Sequence, residues 1–80
     1  MTITTAVSKR IDEYLFKRNI SLYKLAKDAG IPIATLQNLY RGHTKSPSIS
    51  LVYKICIGLD TTVAEFLNSE LFSLSIVELD

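Results

Sequence analysis

The chain has 80 residues, of which 48% are hydrophobic and 21% charged, and its formal net charge is +1. This apolar content excludes a disordered chain and favours a folded globule with one small core. A single cysteine excludes an intrachain disulfide framework and favours a reducing, cytoplasmic setting, and no apolar run approaches the roughly 18 residues of a membrane span.

The charges are distributed unevenly along the chain. Residues 1–20 carry a net charge of +2, residues 21–47 carry +3, and residues 48–80 carry −4. A chain that is nearly neutral overall can therefore present a basic face to phosphate. Chance also produces such asymmetry in short chains, so this interpretation needs the support of a motif.

The first predicted helix covers about residues 5–17. Apolar side chains recur along it at three- and four-residue steps, the spacing of one helical face, and charged side chains occupy the opposite face. The inward stripe consists of Val7, Ile11, Tyr14 and Leu15. Asn19 and Ile20 close this helix, and Ser21 is a favourable N-cap for the next one.

Residues 21–42 predict two short helices joined by a tight turn at Gly30, which can adopt a positive φ. The second helix covers about residues 22–28, and the third runs from Pro32 to about residue 40, with Gly42 as a C-cap. The inward residues of the pair are Leu22, Leu25, Ala26, Ala29, Leu36, Leu39 and Tyr40. A small alanine, a turn glycine four residues later and an apolar residue six further on are typical of a helix-turn-helix.

A polar loop at residues 43–47 separates these helices from a fourth helix, predicted over about residues 49–59 with Ser48 as its N-cap. Its inward side chains are Val52, Ile55, Cys56 and Leu59. Gly58 costs about 1 kcal/mol relative to alanine inside a helix. Its presence therefore predicts either tight packing at that point or an early helix end.

A capping box formed by Thr62 and Glu65 opens a fifth helix, which ends near Asn68. Its inward side chains are Val63, Phe66 and Leu67. In the tail that follows, apolar residues alternate with a period of two at Phe72, Leu74 and Ile76. Such residues either fold back on their own core or meet a partner chain, and periodicity alone does not separate the two.

The order of these features resembles the phage repressor/Cro-type (XRE-like) helix-turn-helix domains over about residues 7–68. The shared features are the Leu25-Ala26 pair, Gly30, Leu36, Gly42, the Pro47-Ser48 cap and the closing helix at residues 62–67. The resemblance implies an all-α fold, a compact five-helix lambda-repressor-like bundle without a sheet. We expect one domain over residues 1–80, with its core at about 5–68 and a tail at 69–80 that is a candidate for dimer contact.

The same resemblance implies sequence-specific binding of double-stranded DNA by a homodimeric repressor, with the third helix in the major groove of a pseudo-palindromic operator. The positions that match the family's base contacts are Ile33, Ala34, Gln37 and Asn38. Asparagine and glutamine can pair with adenine, and apolar side chains can pack on a thymine methyl group. We therefore expect half-sites that contain A·T pairs.

Phosphate contacts are expected from the rim of this helix pair, where the positive charge lies. The candidates are Ser21, Lys24, Arg41, His43, Thr44, Lys45 and Ser46. Lys9 or Arg10 in the first helix is a further candidate. Such contacts fix the register of the protein on DNA and supply most of the salt-dependent affinity.

Three positions depart from the family pattern. Many relatives have glutamine at the position of Leu22, where it contacts the DNA backbone and braces the third helix. Relatives also often pair arginine at the position of Leu15 with glutamate at that of Tyr40, and both are replaced here by residues that can pack. Asp60 stands where relatives usually have glycine, and aspartate tolerates the left-handed conformation better than most residues.

Other functions have little support in the sequence. One histidine and one cysteine cannot make a metal site, and no nucleophile motif is present, so we expect no metal, cofactor, small-molecule ligand or catalysis. His43 is either a phosphate contact or a solvated loop residue, and Cys56 acts as a small apolar residue. Two alternatives remain: an antitoxin-type DNA-binding partner of a toxin, and a protein-interaction module that keeps the fold without binding DNA.

Overall fold

Residues 1–74, which are the part of the chain that this computed structural model describes, fold into five α-helices and a terminal 3-10 helix. The helices are α1 (Ile3–Arg18), α2 (Leu22–Ala29), α3 (Ile33–Tyr40), α4 (Ile49–Gly58) and α5 (Val63–Leu67), and the 3-10 helix is Glu70–Phe72. Each α-helix agrees with its predicted bounds to within two residues. The predicted all-α, five-helix architecture is confirmed.

Local side-chain chemistry explains where most helices begin. A serine or threonine precedes each of α1, α2, α4 and α5, and its hydroxyl oxygen accepts a hydrogen bond from the backbone N–H three residues on. These caps are Thr2, Ser21, Ser48 and Thr62. Within residues 1–74, α3 has no side-chain cap, and Pro32 precedes its first residue. Proline suits this place because its fixed φ is compatible with a helix start.

Four of the described helices end in the same way, with a residue in the left-handed conformation followed by a backbone hydrogen bond that closes the last turn. The left-handed residues are Asn19, Gly30, Gly42 and Asp60, with φ between 53° and 78°. After α3, for example, the N–H of His43 donates to the carbonyl of Asn38 at 2.8 Å. This is the Schellman arrangement, and it stops each helix sharply. The predicted left-handed roles of Gly30, Gly42 and Asp60 are therefore confirmed.

The core is formed by side chains from all five α-helices, and α2 crosses α4 within it. Its fully buried members include Leu25, Leu36, Leu39, Ile55, Leu59 and Phe66, each with 0% exposure. The crossing is close, because a Cβ added at Gly58 would lie 2.8 Å from both the Ala29 Cβ and the Leu25 Cδ1. Both expectations for Gly58 are confirmed, since the packing is tight and α4 also ends at this residue.

Two side chains predicted to face inward lie at the edge of the core instead. Tyr40, at the end of α3, is 36% exposed and donates its hydroxyl hydrogen bond to Asp12 of α1. Leu67, the last residue of α5, is 38% exposed. Both lie at helix ends, where the neighbouring helix no longer covers the inward face.

Within residues 1–74, the tail folds back on the core through Phe72. Phe72 packs against Phe66, with ring centroids 6.2 Å apart, and belongs to the half-buried shell around the core. Leu74 is fully exposed. Ile76, the third apolar residue of the predicted alternation, lies outside the described residues.

Candidate nucleic-acid interface

The outward face of α3 carries the predicted base contacts. Leu36 and Leu39 are completely buried and fix the orientation of α3 against its neighbours α1 and α2. On the other side of the helix, Ala34 and Asn38 are exposed and Ile33 and Gln37 are half-buried. At 3.6 residues per turn these four positions share an arc of about 140°. The structure thus brings all four side chains together on one surface.

The segment after α3 is held in place by α1. The Thr4 hydroxyl donates to the Thr44 carbonyl at 2.8 Å, and the Ser8 hydroxyl donates to the Tyr40 carbonyl at 2.7 Å. The loop and the start of α1 line a shallow groove of about 270 Å³. Of the phosphate candidates in this segment, Arg41, His43, Lys45 and Ser46 are exposed and Thr44 is half-buried.

Thr4 and Ser8 were not among the predicted site residues, although Thr4 left a signal in the sequence. It lies three and seven residues before Val7 and Ile11, so it continues the apolar stripe of α1 with a polar side chain. Only 2% of Thr4 is exposed. Because a buried hydroxyl almost always has a hydrogen-bond partner, such a residue indicates a nearby acceptor, which the structure identifies as the Thr44 carbonyl.

The other phosphate candidates lie at the start of α2. The Ser21 oxygen caps α2 by accepting the Lys24 N–H at 3.1 Å, which leaves its own hydroxyl hydrogen able to donate outward. The Lys24 ammonium pairs with Asp28 at 2.8 Å, and both side chains are more than a third exposed. Exposed ion pairs contribute about 0–1 kcal/mol, so Lys24 can exchange this partner for a phosphate at small cost.

Arg10, a further candidate for phosphate contact, bonds other parts of the protein instead. Its Nε donates to the Phe66 carbonyl at 2.7 Å and its Nη2 to the Glu65 carbonyl at 2.9 Å. Its Nη1 pairs with Glu13, and its guanidinium lies 5.0 Å from the centroid of the Tyr14 ring. A cation suits the carbonyl end of a helix, so Arg10 joins α1 to α5. Lys9, the other candidate in α1, is exposed.

The positions that depart from the family pattern also form contacts. Leu15 and Leu22 are half-buried and pack against the core. Tyr40 links α3 to α1 through Asp12, and this hydrogen bond, together with partial burial and the nearby carboxylate charge, raises the pKa of the Tyr40 phenol. The link between the two helices is therefore a neutral donor on a carboxylate. Burial also raises the pKa of the Cys56 thiol, as expected for a packing residue.

Tyr23 adds a contact that the sequence did not single out. Its side chain is 65% exposed at the second position of α2, and its hydroxyl oxygen accepts a hydrogen bond from the Gln37 Nε2 at 3.4 Å. Gln37 is thus the one predicted base contact whose amide is bonded to another side chain in the described part of the chain.

Two other features of the described residues bear on function. Within residues 1–74, no three histidine, cysteine, aspartate or glutamate side chains come together in a way that could hold a metal ion. None of the helices in the same part of the chain is both long and apolar enough to cross a membrane.

Comparison with known proteins supports the assignment of a helix-turn-helix domain. Residues 10–70 match the model of the Cro/C1-type HTH DNA-binding domain. No curated protein matches the chain. Among solved structures, prophage Lp1 protein 11 is similar with a TM-score of 0.81 and 25% identity over 91% of this chain and 96% of that one.

Two further structures match a part of a longer chain. The SinR protein/SinI protein complex gives a TM-score of 0.68 and 30% identity over 80% of this chain and 62% of that one. An HTH_3 family transcriptional regulator from Vibrio cholerae gives a TM-score of 0.75 and 24% identity over 85% of this chain and 38% of that one. At this identity the match shows a similar fold. From the family match and the fold together, the chain belongs to the Cro/C1-type helix-turn-helix DNA-binding family.

Proposed function

We propose that the chain is a cytoplasmic, sequence-specific repressor that binds a pseudo-palindromic operator as a homodimer, with α3 in the major groove. The observation that carries this proposal is the outward face of α3, where four side chains suited to base edges share one surface, and residue types that bind phosphate precede and follow this helix in the chain. A helix presented in this way matches the width of the major groove of B-DNA.

The base-reading side chains have complementary chemistry. Asn38 and Gln37 each offer a carbonyl acceptor and an amide donor, the pair that adenine requires, and each good bidentate contact discriminates by about 1–3 kcal/mol. Ile33 and Ala34 offer apolar contact to a thymine methyl group. We therefore propose operator half-sites in which A·T pairs occupy the positions beneath α3.

The proposed phosphate contacts come before and after α3 along the chain. Ser21 and Lys24 lie at the start of α2, and residues 41–46 follow α3 with further basic side chains. Each neutralised phosphate adds about 0.9 to the slope of log affinity against log salt, so Lys24, Arg41 and Lys45 in two copies give a slope of roughly −5.

The homodimer needs a contact surface, and α4 offers one. Ile49, Tyr53 and Ile57 recur at four-residue steps on its outward face and are 67%, 58% and 55% exposed. A domain that reads a few base pairs needs a second copy for specificity, and an apolar stripe along a helix can pair with itself about a two-fold axis. The tail, which is the dimer contact expected from the sequence, remains the other candidate, and its Leu74 is fully exposed. Truncation after Ser73 tests the tail and keeps Phe72 in the core. An unchanged sedimentation mass would exclude the tail as the dimer contact.

Selection of binding sites from random DNA duplexes, followed by a salt titration on the enriched duplex, tests the proposal. We expect a palindromic site with A·T-containing halves and a steep negative slope. The control is a variant with Arg41→Ala and Lys45→Ala, which should bind more weakly on all sequences and with a shallower slope. No enriched duplex would contradict DNA binding.

A second candidate, a regulator that binds a different protein, has one observation in its favour. One of the similar structures is a complex of the SinR protein with the SinI protein, and the α4 stripe of this chain is an exposed apolar surface to which a partner could bind. If this candidate is correct, the chain is monomeric in sedimentation at concentrations that saturate DNA. If the protein is instead an interaction module without DNA binding, Arg41→Ala with Lys45→Ala changes no binding property.

A further inference from the structure

We infer that Tyr23 is a positioning residue that orients the Gln37 amide and thereby makes Gln37 select adenine over guanine. This inference rests on the proposed function, because it assigns a role within the same DNA-reading surface. The observation behind it is the hydrogen bond from the Gln37 Nε2 to the Tyr23 hydroxyl oxygen, at 3.4 Å, across the turn between α2 and α3.

Tyr23 lies on the exposed side of α2. Its neighbour Leu22 packs against the core, and Leu25 is completely buried, so the inward face of α2 is already formed. Tyr23 is 65% exposed and adds little to that face. What its side chain reaches is α3, at the one half-buried polar position among the predicted base contacts.

This contact gives the amide of Gln37 a defined orientation. A glutamine amide has two N–H donors on one side and a carbonyl acceptor on the other. When Tyr23 accepts one N–H, the second N–H and the carbonyl oxygen remain for DNA. Adenine offers the matching pair in the major groove, an N7 acceptor and an N6 donor. Guanine offers two acceptors, O6 and N7, so with one N–H occupied by Tyr23 the amide can make only a single hydrogen bond to it, and its carbonyl oxygen would face an acceptor.

The tyrosine hydroxyl also has its own hydrogen to donate. Having accepted from Gln37, it can donate to a DNA phosphate oxygen, which links the backbone of the DNA to the base-reading amide. Hydrogen bonds in such a chain polarise and strengthen one another. The amide is therefore held most firmly once DNA is bound.

The test is the base preference of the variant Tyr23→Phe, which keeps the ring and removes the hydroxyl. Each of the four base pairs is placed in turn at every position of the enriched operator half-site, and affinities are compared with wild type. We expect wild type to prefer adenine to guanine by about tenfold or more at the position read by Gln37, and Tyr23→Phe to reduce that ratio severalfold. The melting temperature should not change, because the hydroxyl is exposed.

Two controls separate positioning from general loss of binding. In a Gln37→Ala background, Tyr23→Phe should leave the adenine-to-guanine ratio unchanged, since no amide remains to be oriented. In the second control, single DNA phosphates are replaced by neutral methylphosphonates. At one position in each half-site, this replacement should weaken DNA binding by wild type and leave binding by Tyr23→Phe unaffected.

Each outcome decides the inference. An unchanged base profile for Tyr23→Phe on a site that wild type binds specifically would overturn the role of Tyr23 and leave the proposed function intact. A wild-type preference for guanine at that position would also overturn it, because the amide would then not present its carbonyl oxygen to the N6 donor of adenine. The absence of any enriched duplex would overturn both proposals.

Discussion

Gly58→Ala should destabilise the protein by forcing α2 and α4 apart. The added Cβ would lie 2.8 Å from the Ala29 Cβ and the Leu25 Cδ1, and 3.0 Å from the Ala29 backbone nitrogen. Ordinary carbon contacts are about 3.5–4.0 Å, so the helices must separate by about 1 Å at this point. The Leu25 methyl group can rotate away, but the Ala29 atoms are fixed to the backbone and cannot.

The size of the effect follows from two opposing terms. Forcing an extra carbon into a packed core costs about 1–3 kcal/mol. Replacing glycine by alanine in a helix returns at most about 1 kcal/mol, and less at the last residue of α4. We expect a net loss of about 1–2 kcal/mol in the free energy of unfolding, measured by urea denaturation, and a melting temperature lower by about 4–8 °C for each kcal/mol.

Two further variants show whether the cause is packing. Gly58→Ala combined with Ala29→Gly removes one fixed contact, so the two changes should be less destabilising together than their sum. Gly42→Ala is the contrasting case, because a Cβ added there would meet no other atom of the described residues within 4 Å. The cost of this substitution comes only from the φ of 78°, which disfavours a side chain by about 1–2 kcal/mol. A Gly58→Ala protein as stable as wild type would refute the reasoning.

Contacts around α3 and α4 lead to three other predictions. Thr4→Val removes the donor to the Thr44 carbonyl, so it should lower the free energy of unfolding by about 1–2 kcal/mol and weaken DNA binding. Thr4→Ser should keep the hydrogen bond. Equal urea midpoints for the valine and serine variants would contradict this prediction. Tyr40→Phe should be less stable than wild type at pH 8, because the raised pKa of Tyr40 means that folding stabilises the neutral phenol. This difference in the free energy of unfolding should shrink as the pH rises above 10 and through the raised pKa. A difference that is independent of pH up to 12 would exclude the contribution of Asp12. Tyr53→Asp should lower the sedimentation mass from dimer to monomer while leaving the helical content unchanged, and a retained dimer would move the contact away from α4.

The helices could be predicted from sequence because their ends depend on nearby residues. Each N-cap bonds three residues ahead, and each left-handed residue closes the turn just before it, so Ser48 or Gly30 can be interpreted within a window of a few residues. The predicted burial of Tyr40 and Leu67 was wrong, because a helical face shows which side is inward but not how far the neighbouring helix extends. The outward set on α3 followed from the same periodicity, and its contact with DNA stays a prediction.

The contacts that support the site could not be predicted in this way. Arg10 bonds a carbonyl 56 residues further along the chain, and Thr4 bonds one 40 residues further along. The bond between Gln37 and Tyr23 depends on the crossing of α2 and α3 at their exposed edge. No local pattern specifies these partners, because each depends on where the whole bundle sets two distant backbones.

The bonds made by α1 also have a consequence for biosynthesis. Its start is fastened to Thr44 and its middle to Phe66, so α1 cannot complete its contacts until almost the whole described chain has left the ribosome. The helix-turn-helix at residues 21–42 is made earlier but lacks this support, and we expect it to stay only partly ordered on the nascent chain. For the same reason, transplanting residues 21–42 alone into another protein should not transfer a working reading surface, because the loop after α3 and the far end of the bundle are both held by a helix outside that segment.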